Sequence, residues 1–275
     1  FTIQEIELRK IAKTDTGLAV SPKYFKSFVD ENGHRDDFLH RGMTDNTFSY
    51  EPKGDTTTYT LDKPFHYSPE IVTEMLSDTL GKEVKYVDIE RPESPQMIYS
   101  IKSDTAYKRM LQPSDNFIAE QLLLVTASEH GKPLNSRAVI EKMKKEYLDM
   151  LPGEPQWVDG SGLSRYNMFT PESMIRLLEA IDDEFAEDEK LFHLLPAGGD
   201  RGTISNWYGP RDDREDPYVF AKTGTLSNNH SLSGYLMTKS GKKLYFSFMN
   251  NHYVGSSSVV KEEMEKVLWY IHTNF

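Results

Sequence analysis

Two short stretches carry side chains that could do chemistry together. Ser114-Asp115-Asn116 stands just ahead of a strongly patterned helical run, and Lys222-Thr223-Gly224-Thr225 closes a strand-like segment 108 residues further on. A peptide ending in a carboxylate needs a particular set of groups for acyl transfer: a cation and hydroxyls to hold the carboxylate, a hydroxyl to relay a proton, an amide to orient the backbone, and N–H donors aimed at the oxyanion. Lys222, Thr223, Ser114, Asn116 and the Thr225 N–H could supply them. Gly224 would leave the strand edge open for an extended substrate, since a side chain there would obstruct it. Taken singly, Ser114 reads equally well as a helix N-cap and Lys222-Thr223-Gly224 as a strand end with a turn glycine. Both patterns also occur a second time. Ser227 to Asn229 falls in the connection after the Lys222 strand, and Lys239-Ser240-Gly241 falls in a hairpin turn.

The elements around these residues follow from periodicity. Ser68, Pro69 and Gly81 bracket a helix with Ile71, Met75 and Leu76 on one face. Ahead of it lie short alternating segments (Phe1, Ile3; Ile6, Leu8), after it another (Val84, Tyr86, Asp88), and a polar middle runs from Asp30 to Asp62. Two prolines within Arg91 to Gln96 then interrupt the pattern and mark a seam. The spacing predicts two regions: 1–93, a small α+β module, and 94–275, a larger α+β domain. In the second, helices are expected at Ser103 to Leu111, at Phe117, Ile118, Leu122 and Val125, at Val139, Met143, Tyr147 and Leu151, and from Thr170-Pro171 through Ile181. The period then changes to two. Tyr218 to Lys222, Ser231 to Thr238 and Lys243 to Met249 read as antiparallel strands. A closing helix carries the stripe Val260, Met264, Val267, Leu268 and Ile271.

Composition narrows the function further. The 275 residues include no cysteine, which excludes a disulfide scaffold, a zinc knuckle and a thiol nucleophile. A net charge of −11 argues against a nucleic-acid partner. No apolar run, Leu122 to Val125 included, approaches the ~18 residues a membrane span needs. The eight histidines include no H-E-x-x-H, and His34 and His40 lack ligand-spaced partners, so no metal or cofactor is expected. No G-x-S-x-G is present. The acidic runs Asp182 to Glu189 and Asp212 to Asp216 read as a solvated helix end and a solvated loop.

The two chemical stretches match the second and third elements of the set S-x-x-K, S-D-N and K-T-G. The wider context, MLQPSDNFIAEQLL, DGSGLSRYN, LLPAGGDRGT, AKTGTL and MNN in that order, resembles the D-alanyl-D-alanine carboxypeptidase/endopeptidase family of the penicillin-binding protein 4 type. The resemblance is strong from about Ile98 onward and thin before it. It implies a penicillin-binding-protein/β-lactamase-like fold, with a five-stranded antiparallel sheet, covering helices and a helical lobe carrying Ser114. Residues 1–93 would be part of an inserted accessory domain. By the same resemblance Ser114 relays a proton, Asn116 binds substrate, Lys222, Thr223 and Gly224 bind the terminal carboxylate, and Thr225 lends an oxyanion N–H. The implied partners are peptidoglycan peptides ending in D-Ala-D-Ala and β-lactams, in the periplasm or cell envelope. A class A β-lactamase would instead need a Glu with an Asn four residues on between the two motifs, and none is found.

The first element is missing from its place. Ser followed three residues later by Lys occurs only at Ser240-Lys243 and Ser258-Lys261, both after Lys222, whereas the family order puts it before Ser114. Ser258 reads as an N-cap of the last helix. The expectation is therefore a carboxy-terminal portion whose nucleophile lies upstream of Phe1, unable alone to form an acyl-enzyme and able to cover exposed apolar surface as a homodimer. The alternative is a non-catalytic module that binds wall peptides or a partner.

Overall fold

The computed structural model describes residues 5–14, 17–19, 23–30, 39–42, 44–50, 58–64, 66, 68–90, 92–94, 96, 101–130, 135–211 and 216–275. Phe1, Ile3, His34 and residues 212–215 lie outside them. The chain divides into two compact units, Phe1–Gln96 and Met97–Phe275.

In the first unit, β1 (Glu5–Thr14) pairs antiparallel with β2 (Gly17–Ala19) and, on its other edge, with β6 (Thr58–Pro64). A second small sheet has β5 (Phe48–Tyr50) between β3 (Val29–Asp30) and β4 (Leu39–Arg41). Phe25 and Phe48 are buried edge to face. The helix α1 (Pro69–Leu80) begins and ends as expected: the Ser68 hydroxyl accepts from the Ile71 N–H, and Gly81 caps in the left-handed region. The alternation at Val84, Tyr86 and Asp88 forms no strand; that stretch has no regular structure and Tyr86 and Val87 are exposed. Alternation supports a strand only where a neighbouring edge takes its backbone hydrogen bonds.

The second unit runs α2 (Ser103–Leu111), α3 (Asn116–Glu129), α4 (Ser136–Glu146), α5 (Pro171–Asp183), α6 (Asp188–Leu194), then β7 (Val219–Leu226), β8 (Asn229–Met237), β9 (Lys243–Asn251) and α7 (Ser257–Asn274). This is an α+β fold. The strands form one antiparallel sheet in the order β7-β8-β9, so three of the five strands implied by the resemblance are present among the described residues.

The central strand is apolar on both faces, and each face has its own cover. Val219, Ala221, Leu232 and Leu236 pack against Met264 and Leu268 of α7. On the other face Tyr235 and Phe220 pack with Leu178 of α5, Leu191 and Phe192 of α6, and Leu111 of α2. A separate cluster of Leu123, Ala127, Val139 and Ile140 joins α3 to α4 and forms the helical lobe. Leu111 is thus the apolar link between the lobe helices and the sheet.

Several expectations change. The acidic stretch Asp182 to Glu189 does begin at the end of α5 and is mostly exposed, but its last two residues open a further helix, α6, whose Leu191 and Leu194 are buried; Asp188 and Glu189 occupy its first turn, where the helix dipole favours them. Asp182 is also not merely solvated, since it accepts from Lys243 Nζ at 2.5 Å and from the Tyr245 hydroxyl at 2.6 Å. Val125, Tyr147 and Val267 are exposed, and α4 ends at Glu146 rather than continuing to Leu151. Ser256, not Ser258, caps α7.

One close approach sets the position of β7. A Cβ on Gly234 would lie 2.2 Å from the Phe220 carbonyl oxygen and 2.6 Å from the Ala221 Cα, backbone atoms that cannot give way. Gly234→Ala is expected to lower unfolding stability by about 2 kcal/mol or more, read as the midpoint of urea denaturation. An unchanged midpoint would show that β7 and β8 can separate without loss.

Candidate active site

Strand parity decides where Lys222 points. Phe220 is stacked on Phe192 of α6 at 4.2 Å between ring centroids, on the face away from α7. Two residues on, Lys222 leaves the strand on the same face, beyond the aromatic cluster and toward the lobe. Its Nζ donates to the Ser114 hydroxyl at 2.5 Å and to the Thr223 carbonyl at 2.9 Å.

Ser114 meets it because the turn between α2 and α3 is tightly held. Its backbone is left-handed, φ 63°, a conformation that costs a serine energy and persists only where its neighbours impose it. On one side the Asp115 N–H donates to the Met110 carbonyl at the end of α2. On the other the Asp115 carboxylate caps α3 by accepting from the Ile118 N–H at 3.0 Å. Asp115, not Ser114, is therefore the cap, and the serine hydroxyl is left for Lys222.

Gln112 ties this turn to the rest of the domain. Its side-chain amide donates to the His193 carbonyl, and its own carbonyl accepts from the Thr203 N–H at 3.0 Å. Thr203 lies in a 3-10 turn at Gly202–Ile204, and Gly202 (φ 73°) comes so close that a Cβ would sit 2.8 Å from the Gln112 carbonyl. The Thr223 hydroxyl donates to the Thr203 hydroxyl at 2.9 Å.

The outer edge of β7 is only half used. Ala221 N–H donates outward to the Pro196 carbonyl, and beyond that point Pro196 and its neighbours no longer follow the strand. By strand alternation Thr223 and Thr225 face the same outer side with their N–H and C=O groups. Gly224 and Thr225 are exposed. A Cβ on Gly224 would touch only the Ser231 hydroxyl, a group that can rotate away. Asn116 stands exposed as the first residue of α3, and among the described residues its side chain makes no hydrogen bond to Ser114 or Lys222. The structure thus joins Ser114, Lys222 and Thr223, lines Gly224 and Thr225 along the edge, and leaves Asn116 facing solvent.

Burial pushes the Lys222 ammonium down to about 8. No carboxylate pairs with it among the described residues. A lysine in that state can carry or release a proton near neutral pH, and it offers an unneutralised positive field to an incoming anion.

A family model of the D-Ala-D-Ala carboxypeptidase 3 (S13) family matches residues 49–272. The chain belongs to the S13 family. It is 30% identical over 220 residues to the D-alanyl-D-alanine carboxypeptidase DacB of Haemophilus influenzae, covering 75% of this chain and 44% of that protein. Carboxypeptidase DacB of Mycolicibacterium smegmatis is 29% identical over 152 residues, covering 53% of this chain and 33% of the relative. The chain therefore spans less than half the length of these relatives. The crystal structure of penicillin binding protein 4 (dacB) from Haemophilus influenzae superposes with a TM-score of 0.64 at 22% identity, over 86% of this chain and 56% of that one. This establishes the penicillin-binding-protein fold.

Four residues beside these groups, Thr203, Glu120, Arg165 and His230, were not singled out as functional from sequence. Thr203 belongs to the LLPAGGDRGT stretch, but only its distance to Thr223 shows a link. Glu120 accepts from the Gly160 and Ser161 N–H groups at 2.7 and 3.0 Å, and Arg165 donates to the Ser227 carbonyl, so the DGSGLSRYN loop is anchored to both the lobe and the β7–β8 turn. His230, opposite Thr225 in the β7–β8 register, is buried. A cavity of about 830 Å³ between Gly198, Trp207, Tyr218, Glu265 and Trp269 includes none of the six expected site residues and lies apart from this chemistry.

The depressed Lys222 has a consequence for stability. Below pH 8 both folded and unfolded chains hold its proton and the burial penalty is complete; between about 8 and its ordinary 10.5 the unfolded chain holds more, so rising pH favours folding. Relative to Lys222→Met, the unaltered chain is expected to gain stability across that window and not below it, by chemical denaturation at stepped pH. A constant difference across the whole range would contradict a desolvated ammonium.

Proposed function

We propose that this chain carries the second and third motifs of a serine-type D-Ala-D-Ala carboxypeptidase, with endopeptidase action on crosslinked peptides following from the same acyl-transfer chemistry. The observation that supports it is the 2.5 Å contact between Lys222 and Ser114, made across two differently packed parts of the domain beside an open strand edge. In this reading the substrate lies antiparallel along β7, taking hydrogen bonds from the outward groups of Thr223 and Thr225. Its terminal carboxylate sits against Lys222 and the Thr223 hydroxyl.

A nucleophilic serine hydroxyl attacks the penultimate D-Ala carbonyl, releasing its proton into the relay that ends at the leaving amine, and the Thr225 N–H stabilises the oxyanion. The C–N bond breaks as the leaving D-Ala amine takes a proton relayed through the Ser114 hydroxyl, with Lys222 supplying the field and the proton reserve. Water then hydrolyses the ester and restores the serine. Asn116 orients the substrate amide. The nucleophile is proposed to belong to an S-x-x-K segment preceding Ser114 in the longer protein, because the matches within this chain both follow Lys222. The site would act on peptidoglycan outside the cytoplasm and react with β-lactams. The missing S-x-x-K also favours a second reading, a module that binds D-Ala-terminated peptides without turnover.

Labelled penicillin is expected to leave this chain unmarked after denaturation and to mark the protein carrying the preceding segment. A stable adduct on the chain itself would place the nucleophile elsewhere. In the protein that is marked, Lys222→Ala should cut acylation at least tenfold, as removal of a charge-assisted contact implies, and unchanged kinetics would overturn the role given to Lys222. Gly224→Ala should fold normally and bind a D-Ala-D-Ala peptide at least tenfold more weakly in calorimetry, about the loss expected when a built edge is obstructed. Unaltered affinity would mean the substrate does not lie along β7.

A further inference from the structure

His230 takes no part in the scheme above, yet it is 1% exposed and stands directly across from Thr225. Its Nδ1 lies 2.8 Å from the Thr225 hydroxyl, and its Nε2 is buried with no hydrogen-bond partner. Burial, with the Lys261 ammonium of α7 second, pushes the ring down to about 4, so the imidazole is neutral at ordinary pH and carries one proton. That proton has two possible places. On Nε2 it would be a buried donor with no acceptor, the costlier vacancy; on Nδ1 it is satisfied by the Thr225 oxygen. The other groups packed on this face fit the same arrangement: Asn250 of β9 donates to the His230 carbonyl at 3.4 Å and to the Met264 sulfur, so neither offers Nε2 a partner.

We infer that His230 is a positioning residue of the site: from the buried face of the sheet its Nδ1–H makes the Thr225 hydroxyl an acceptor, so that the hydroxyl's own proton is turned to the open strand edge as a donor to the ligand. This rests on the acyl-transfer reading of that edge. Thr225 is exposed as a residue, and its hydroxyl has no partner besides His230 among the described residues. A hydroxyl that could otherwise rotate between accepting and donating is thereby given one sense, at the residue whose backbone N–H faces the same edge. Without the histidine, Thr225 spends part of its time donating inward or to water.

The test has two parts. In ¹⁵N-resolved spectra of the chain, His230 is expected as the neutral Nδ1–H tautomer from neutral pH down to below pH 5; an Nε2–H tautomer overturns the inference whatever the function. For a D-Ala-D-Ala peptide, His230→Phe and Thr225→Val should each weaken binding about fivefold to tenfold, and the double variant no more than either alone. His230→Asn, which can place an amide donor where Nδ1 was, should stay within about twofold of the unaltered chain. Independent, multiplying losses, or an Asn variant as weak as Phe, would contradict the assignment. Absence of peptide binding to the unaltered chain would sink the acyl-transfer reading and with it the ligand-directed donor role. The tautomer would still decide whether His230 donates to Thr225. Should the Phe variant fail to fold, the Asn and Val variants and the spectrum still decide.

Discussion

Withdrawing a lysine ammonium even partly from water without a carboxylate is costly, and the second unit is organised around one that is half-buried in this way. Lys222 is tolerated because a serine hydroxyl and a carbonyl oxygen accept hydrogen bonds from its ammonium, and the serine is available only because two helices, a capping aspartate and a left-handed backbone hold it there. A carboxylate partner in place of the serine hydroxyl would neutralise the charge and cost the fold less. It would also cancel the positive field that an anionic ligand needs. The arrangement trades stability for an unneutralised charge, the pattern expected of a functional site rather than a structural one.

The rest of the domain can be read as what brings those two atoms within hydrogen-bond reach. A sheet covered on both faces fixes the parity of β7, so that Lys222, two positions after the Phe220 aromatic stack, must emerge toward the lobe. Gly234 lets the β7 backbone at Phe220 and Ala221 lie where a Cβ would otherwise stand. On the lobe side, Leu111 joins the aromatic cluster while Gln112 binds both α6 and the Thr203 turn, so the α2–α3 turn cannot drift from the strand without breaking three contacts of different kinds. The strand edge beyond Ala221 is left open by the same loop that closes it before that point.

Much of this was legible in the sequence because it is local. The cap at Ser68, the start of α5 at Thr170-Pro171, the period-two strands and the two chemical tripeptides each depend on a few neighbouring residues. What was not legible depends on long-range contact. The acidic residues of α6 hid a helix whose buried leucines face the sheet, and the apolar Val125, Tyr147 and Val267 turned outward because no element covers them among the described residues. Ser114 looked like a cap, and only the neighbouring Asp115 taking that role frees it. Thr203 and Glu120 lie inside stretches that carry the family resemblance, yet neither they nor His230 show their role locally; each acts on a residue at least five positions away in sequence, across a turn, a loop or a strand pair.

The most direct measurement is the crystal structure of the chain with a peptide ending in D-Ala-D-Ala. The peptide should extend along the outer edge of β7, its carboxylate within hydrogen-bond reach of Lys222 Nζ and the Thr223 hydroxyl, and its last amide carbonyl next to the Thr225 N–H. A peptide bound elsewhere, or one whose carboxylate leaves the Lys222–Ser114 contact untouched and unapproached, would contradict the assignment of this edge as the substrate site.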